Sequence, residues 1–248
     1  MKQLRSLAGT AIVVFGVWAA AALLVDKPFL PGPAQTLRAL VDLFASGALL
    51  VHAGASAGRV FWALIVGGLP ATALGLAAGR CRPVDRIFSP LAYVLHPLPK
   101  VAFLPLIMLL FGIGETSKIV LVALIVFSQL LVSSRDASRR VSPRLLDSVR
   151  SLGGKRWDLA LRVVLPAAAP DLLTALRVSL GTAIAVLFLA ETFASESGLG
   201  FLIVDAWSRL AYPEMYAAIL ALSLLGLGFY ALIDGTERLV CPWRAFAR

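Results

Sequence analysis

Five residues around position 56 form the first arrangement with chemistry in it. Gly54-Ala55-Ser56-Ala57-Gly58 fits the G-x-S-x-G pattern of a serine nucleophile, and His52 stands one helical turn earlier. That pattern works on a sharp strand-to-helix turn that lifts the hydroxyl toward an imidazole base. Here the flanking residues are small and lead into an apolar run, so close helix packing is the plainer expectation. An intramembrane serine hydrolase using Ser56 stands as the alternative. A second arrangement, His96-Pro97-Leu98-Pro99-Lys100, interrupts an apolar stretch. An ionisable group that deep in lipid is costly and faces a cavity or a partner. Lys100 is therefore a candidate for a solute path, where it would attract an anion; the plain alternatives are snorkelling or an ion pair. His96 is placed beside it, with an imidazole suited to a carbonyl freed by Pro97 or Pro99. Gly154-Lys155 hints at a phosphate loop, but Arg156 follows and the earlier glycine of G-x-x-x-x-G-K-[ST] is missing. Cys81 and Cys241, in basic stretches without nearby histidines, read as free thiols. The expectation is no catalytic residue, no metal site and no cofactor bound by this chain.

The elements that must hold these residues are dictated by composition. Of 248 residues, 59% are hydrophobic and 15% charged, with a mean hydropathy of +0.87. So much apolar surface cannot be hidden inside one small globule, so lipid must solvate much of it. The net charge of +9 does not indicate nucleic acid, because the basic residues cluster between apolar runs as they do in loops beside a membrane.

Six apolar stretches are expected as transmembrane helices: residues 7–25, 60–79, 87–111, 119–134, 172–189 and 215–233. The first is longer than a signal-peptide core and lacks a small-residue cleavage region, so it reads as a retained span. Residues 34–50 are amphipathic and suit a helix lying at the interface. In the second span Gly67, Ala71, Gly75 and Gly79 recur every four residues, a face that lets two helix backbones approach closely. Pro166 and Pro170 are expected to end a short loop helix before the fifth span. Arg177 is expected to snorkel, and Glu191 with Glu196 to form an acidic outer rim. Arginine and lysine concentrate in alternate gaps, above all from Arg135 to Arg162, while Lys27, Arg38, Arg59, Lys118 and Arg209 occupy the others. The bias predicts cytoplasmic termini and a cytoplasmic basic loop. The expected layout is all-α and polytopic. Residues 1–59 hold the first span and a periplasmic interfacial helix; residues 60–248 form a core whose loop spans 135–170.

That loop reads DSVRSLGGKRWDLALRVVLP from Asp147 to Pro166. Two short helices flank Gly153-Gly154, a pair that permits a sharp bend. Leu145, Leu146, Leu152 and Trp157 offer an apolar knob ringed by arginines. The segment resembles the EAA loop of ABC-importer permeases: Glu-Ala-Ala, three residues, glycine, then a hydrophobic-Leu-Pro ending. Asp147-Ser148-Val149 stand at the first three positions, of which only the acid is kept, Gly153 at the glycine, and Val164-Leu165-Pro166 at the ending. The stretches from Pro97 to Leu106, Phe111 to Lys118, Ala190 to Thr192 and Ser197 to Phe201 are similar to the nitrate/sulfonate/taurine permease subfamily. The resemblance implies a coupling helix seated in a separate ABC ATPase, which would hold ATP and magnesium. It implies ATPase contact through Asp147, Leu152, Gly153, Gly154, Lys155, Arg156, Trp157 and Pro166. It further implies a second copy of the chain, a periplasmic or lipid-anchored substrate-binding protein, a bacterial inner-membrane location, and a small solute such as nitrate, a sulfonate or taurine.

Overall fold

The computed structural model describes residues 2–95, 97–193 and 195–243, with side chains from Val13 onward. Among the described residues the regular structure is entirely helical. In order these are α1 (Lys2–Val25), α2 (Pro33–Ala45), α3 (Ala48–Arg80), α4 (Arg82–Leu95), α5 (Leu104–Phe111), α6 (Glu115–Arg140), α7 (Pro143–Ser151), α8 (Arg156–Thr192), α9 (Leu199–Ser208) and α10 (Tyr212–Val240).

Four of these, α3, α6, α8 and α10, are long and apolar enough to cross a bilayer unaided. At 33 residues, α3 is about 50 Å long, well beyond a hydrocarbon core of about 30 Å. The third apolar stretch is not one helix: α4 and the segment Lys100–Phe111 meet at 91°, because Pro97 and Pro99 cannot continue a helical ladder. The 24 residues of α1 make a further helix about 36 Å long, apolar from Val13 to Val25. The amphipathic segment ends sooner than expected, at Ala45, where Gly47 (φ +78°) turns the chain and residues 48–50 join α3.

Two spans begin earlier than their apolar runs, α3 at Ala48 and α8 at Arg156, and in both the helix runs on through a proline. In α3 the residues Leu64–Gly68 form a π turn followed by Leu69-Pro70. In α8 the residues Ala160–Val164 form another, followed by Leu165-Pro166. A proline lacks the N–H for the carbonyl four residues back, and its ring crowds that carbonyl. The wider π turn just before it makes the room, so the helix continues. Pro166 therefore does not stop the loop helix. Residues Arg156–Thr192 are continuous, with Pro166 and Pro170 inside.

The chain divides into two compact units. One comprises Met1–Ser56 with Glu191–Leu225, the other Ala57–Ala190 with Gly226–Arg248. In the first, the Trp18 indole donates to the Pro31 carbonyl (3.1 Å) and stacks on Tyr216. In the second, α6 is central: 56% of its apolar window is buried, against 28% for α8. Val60, Ala63 and Ala71 pack there with Leu121, Val126, Leu131, Leu180 and Leu187. The small-residue face of α3 lies directly on α6. A Cβ at Gly75 would sit 2.6 Å from the Leu131 carbonyl oxygen, and one at Gly79 2.7 Å from that of Arg135. The expected close approach is what the structure contains. By contrast Leu24, Tyr93, Leu109 and Leu232 stand exposed, as side chains solvated by lipid would.

Candidate functional site

The basic loop folds as an elbow with a definite geometry. Helix α7 ends in a Schellman motif: the Gly154 amide donates to the Val149 carbonyl (3.0 Å) and the Gly153 amide to that of Arg150 (2.9 Å). The two glycines are needed for different reasons. Gly153 takes φ +79°, and a Cβ on Gly154 would lie 2.5 Å from Val149 Cγ1. The start of α8 is held by Asp158, whose carboxylate accepts the Lys155 amide (3.0 Å). The elbow is therefore stiff at its tip.

Its two faces do opposite things. Leu146 is 6% exposed and packs with Val141, Val163 and Val164, backed by Leu76, Val149 and Leu159. It anchors the elbow to its own unit and is not part of the knob. Leu152 and Trp157 are 86% and 77% exposed, and Leu145 is half-exposed. Asp147, Lys155 and Arg156 are exposed around them, while Gly154 and Pro166 are half-buried. At the base, the Asp85 carboxylate accepts from Arg135 Nε (2.6 Å) and Arg139 Nη2 (2.7 Å). The Arg80 guanidinium donates to the carbonyls of Ser138 and Val141. These bonds tie the ends of α3 and α4 to the end of α6, so the elbow leaves from a braced platform.

The serine motif has a different use. Ser56 and Glu191 are both fully buried. Ser56 Oγ donates to the Glu191 carboxylate (2.7 Å) and accepts the Leu199 amide (2.8 Å). The Gly200 amide donates to Glu191 Oε2 (2.7 Å), and the Gly198 amide to His52 Nδ1 (3.2 Å). The imidazole of His52 is thus engaged by backbone, and the hydroxyl faces a carboxylate that also holds the Gly200 amide in the first turn of α9. This overturns the hydrolase alternative. It also moves Glu191 from an acidic rim into the interior; Glu196 is exposed.

Other charged residues change place too. Arg177, expected to snorkel, is held by ion pairs to Glu237 and to Asp234 (2.7 Å), and Tyr230 lies against its guanidinium. Arg59 and Lys118, read from sequence as loop residues, are 1% and 2% exposed. Arg59 holds Glu115 through two bonds, Nε to Oε2 (2.6 Å) and Nη2 to Oε1 (2.5 Å). Nothing in local composition marks this pair; the one signal was that Glu115 opens the apolar run of α6. Lys100 starts a short 3₁₀ turn before α5 and is half-buried. His96 lies outside the described residues.

Long apolar helices, a glycine-lined helix seam and a stiff basic elbow define a class of protein, the membrane-spanning subunit of a transport system. The family comparison makes that class specific. Residues 71–244 match the family described as binding-protein-dependent transport system inner membrane component, and the chain belongs to that family. It is 34% identical to the taurine transport system permease protein TauC of Escherichia coli K12, over 98% of this chain and 90% of that one. It is 30% identical to the putative aliphatic sulfonates transport permease protein SsuC of Bacillus subtilis, over 89% of this chain and 80% of that protein. A solved structure of the inward-facing MetNI methionine ABC transporter matches with a TM-score of 0.64 at 17% identity. That match covers 76% of this chain and 94% of the other, and the likeness extends to the fold alone. The chain is an ABC-transporter permease, a transport subunit and not itself an enzyme.

Proposed function

We propose that this permease conducts a small sulfonate or related oxyanion across the bacterial inner membrane and is driven by a separate ATPase seated on the 147–157 elbow. The observation that carries the coupling role is the exposure of Leu152 and Trp157 on a turn that is internally rigid. Two large apolar side chains held out in water by a stiff, arginine-rimmed turn are the signature of a docking anchor. Asp147, Gly153, Gly154, Lys155 and Arg156 shape and rim that anchor. Pro166 lies inside the same continuous helix, so movement of the elbow is passed into α8 without a break.

The loop charges support a cytoplasmic elbow and cytoplasmic termini. On that orientation residues 1–59 present α2 to the periplasm and residues 60–248 carry the conducting core, with the coupling loop at 135–170. Partners are a second copy of the chain, two ATPases that bind ATP and magnesium, and a periplasmic or lipid-anchored binding protein. The solute class rests on the taurine and sulfonate relatives and on cations within apolar segments, Lys100 among them.

The test is ATP-driven uptake of labelled taurine by proteoliposomes holding the permease, its ATPase and its binding protein. Replacing residues 147–157 with a flexible glycine-serine linker should abolish uptake while the permease still inserts and stays folded. Full uptake with the linker would refute the coupling role.

A further inference from the structure

We infer that the Gln129 carboxamide is a specificity-determining step of the solute path inside the membrane, and that its spare oxygen takes the ammonium end of an aminosulfonate. The inference rests on the reading of the chain as a sulfonate importer. It concerns residues that the coupling argument does not use.

Three buried polar side-chain atoms lack a hydrogen-bond partner among the described residues: Gln129 Oε1, Ser134 Oγ and Arg177 Nε. Two are explained by their surroundings. Arg177 Nε lies 2.7 Å from the Asp234 carboxylate and keeps the ionic attraction. Ser134 sits in the α3–α6 seam, where a Cβ on Gly75 would lie 2.6 Å from its own Cβ, so that no solute fits there. Gln129 is different. Its Nε2 donates to Thr182 Oγ1 on α8 (3.3 Å), and its oxygen is left over. A carboxamide serves as glue between membrane helices through the bonds it makes, and here that role accounts for the donor end alone. A sealed acceptor without a partner is unfavourable, and a donor that reaches it relieves the cost.

The position is deep in the bilayer. Gln129 lies about 21 Å from the first residue of α6 and about 16 Å from the last, within a hydrocarbon core of about 30 Å. Val126 and Leu130 on α6 and Leu180, Ala183 and Val186 on α8 form the apolar packing of this region. Gln129 and Thr182 are both half-buried, so the pair stands at the margin of that packing, and polar side chains within spans face a partner or a water-filled cavity. Thr182 belongs to the helix that begins at the elbow, so driving the elbow moves the cover of the oxygen. With Nε2 committed to Thr182, only an acceptor is on offer. A sulfonate has acceptor oxygens alone and gains nothing from Oε1, whereas an ammonium donates to it. Taurine carries both groups and ethanesulfonate only the sulfonate. The carboxamide is neutral, so it holds the ammonium without the deep well a carboxylate would make, and a solute that enters can leave.

Uptake by proteoliposomes holding the permease, its ATPase and its binding protein tests this, with taurine and ethanesulfonate each supplied at concentrations that saturate the binding protein. Gln129→Met keeps the length of the side chain and removes both polar atoms. It should lower taurine uptake about tenfold, the loss of one hydrogen bond to a charged group, and change ethanesulfonate uptake less than about twofold. Equal loss of both solutes overturns the inference, because damaged packing lowers both. Taurine uptake at the wild-type level overturns it too. Should Gln129→Met fail to fold, Thr182→Cys leaves the carboxamide in place. Sulfonatoethyl methanethiosulfonate should label the introduced thiol, read by peptide mass spectrometry, only while ATP is turned over. Taurine should slow that labelling more than ethanesulfonate does. A thiol that stays unlabelled during active uptake, or that both solutes protect alike, overturns the site. A wild type that imports taurine, beside a Gln129→Met variant with the wild-type solute ratio, removes this site and leaves the importer standing. A wild type whose ATPase runs while neither sulfonate enters removes the solute class of the importer, and this recognition with it.

Discussion

Truncating Trp157 to alanine separates docking from folding. A large aromatic carries about 150–250 Å² of surface, and Trp157 leaves 77% of its own in solvent. Covering that share against a partner removes on the order of 150 Å² from water, or ~4 kcal/mol at about 25 cal/mol per Å². Part is offset by ordering the side chain, so a loss near ~3 kcal/mol is expected, a weakening of association by about a hundredfold. The permease itself should hardly notice, with a stability change under ~0.5 kcal/mol, because the indole stands largely in solvent. The matching control is Leu146→Ala in the same loop. Leu146 is 6% exposed, so its truncation should cost ~2–5 kcal/mol of fold stability and reach the ATPase only through the damaged elbow. The assay pairs ATPase co-purification at graded concentrations with the melting temperature of the permease alone. Trp157→Ala that co-purifies as well as wild type would refute the reasoning. So would a variant that unfolds the isolated permease, since Trp157 would then be holding the loop instead of a partner.

The remaining predictions use the interior. Ser56→Ala removes a donor from the buried Glu191 carboxylate and strips the Leu199 amide of its acceptor, so the melting temperature should fall by the equivalent of ~1–3 kcal/mol. A fluorophosphonate probe should leave wild-type Ser56 unlabelled, and labelling would reopen the nucleophile question. Gly75→Ala places a methyl 2.6 Å from the Leu131 oxygen and should cost ~1–3 kcal/mol. Gly181→Ala, where a Cβ meets nothing within 4 Å, should be neutral or stabilising by up to ~1 kcal/mol. Thermal unfolding of the two variants side by side decides whether the α3–α6 seam is as close as described.

The repeating small residues of α3, the glycine pair of the elbow and the sorting of arginines between apolar runs are local patterns. Each is set by a few neighbouring residues, so sequence alone sufficed for the helical class, the tight seam and the position of the elbow. The continuity of α8 through Pro166 was not readable, because a π turn is relieved backbone strain that leaves no mark in the hydropathy pattern. Polar partners were lost for a related reason: Arg177 with Glu237, Arg59 with Glu115 and Ser56 with Glu191 join residues dozens of positions apart. Whether a charged side chain reaches water, lipid or another charge depends on which helices pack together, and periodicity within one helix carries no information about that. Lipid as solvent, helices as elements and a basic elbow were thus determined by the chain order of the residues. Which polar groups are sealed inside, and against whom, was decided only when the helices came together, because burial of a charge is a property of its neighbours in space.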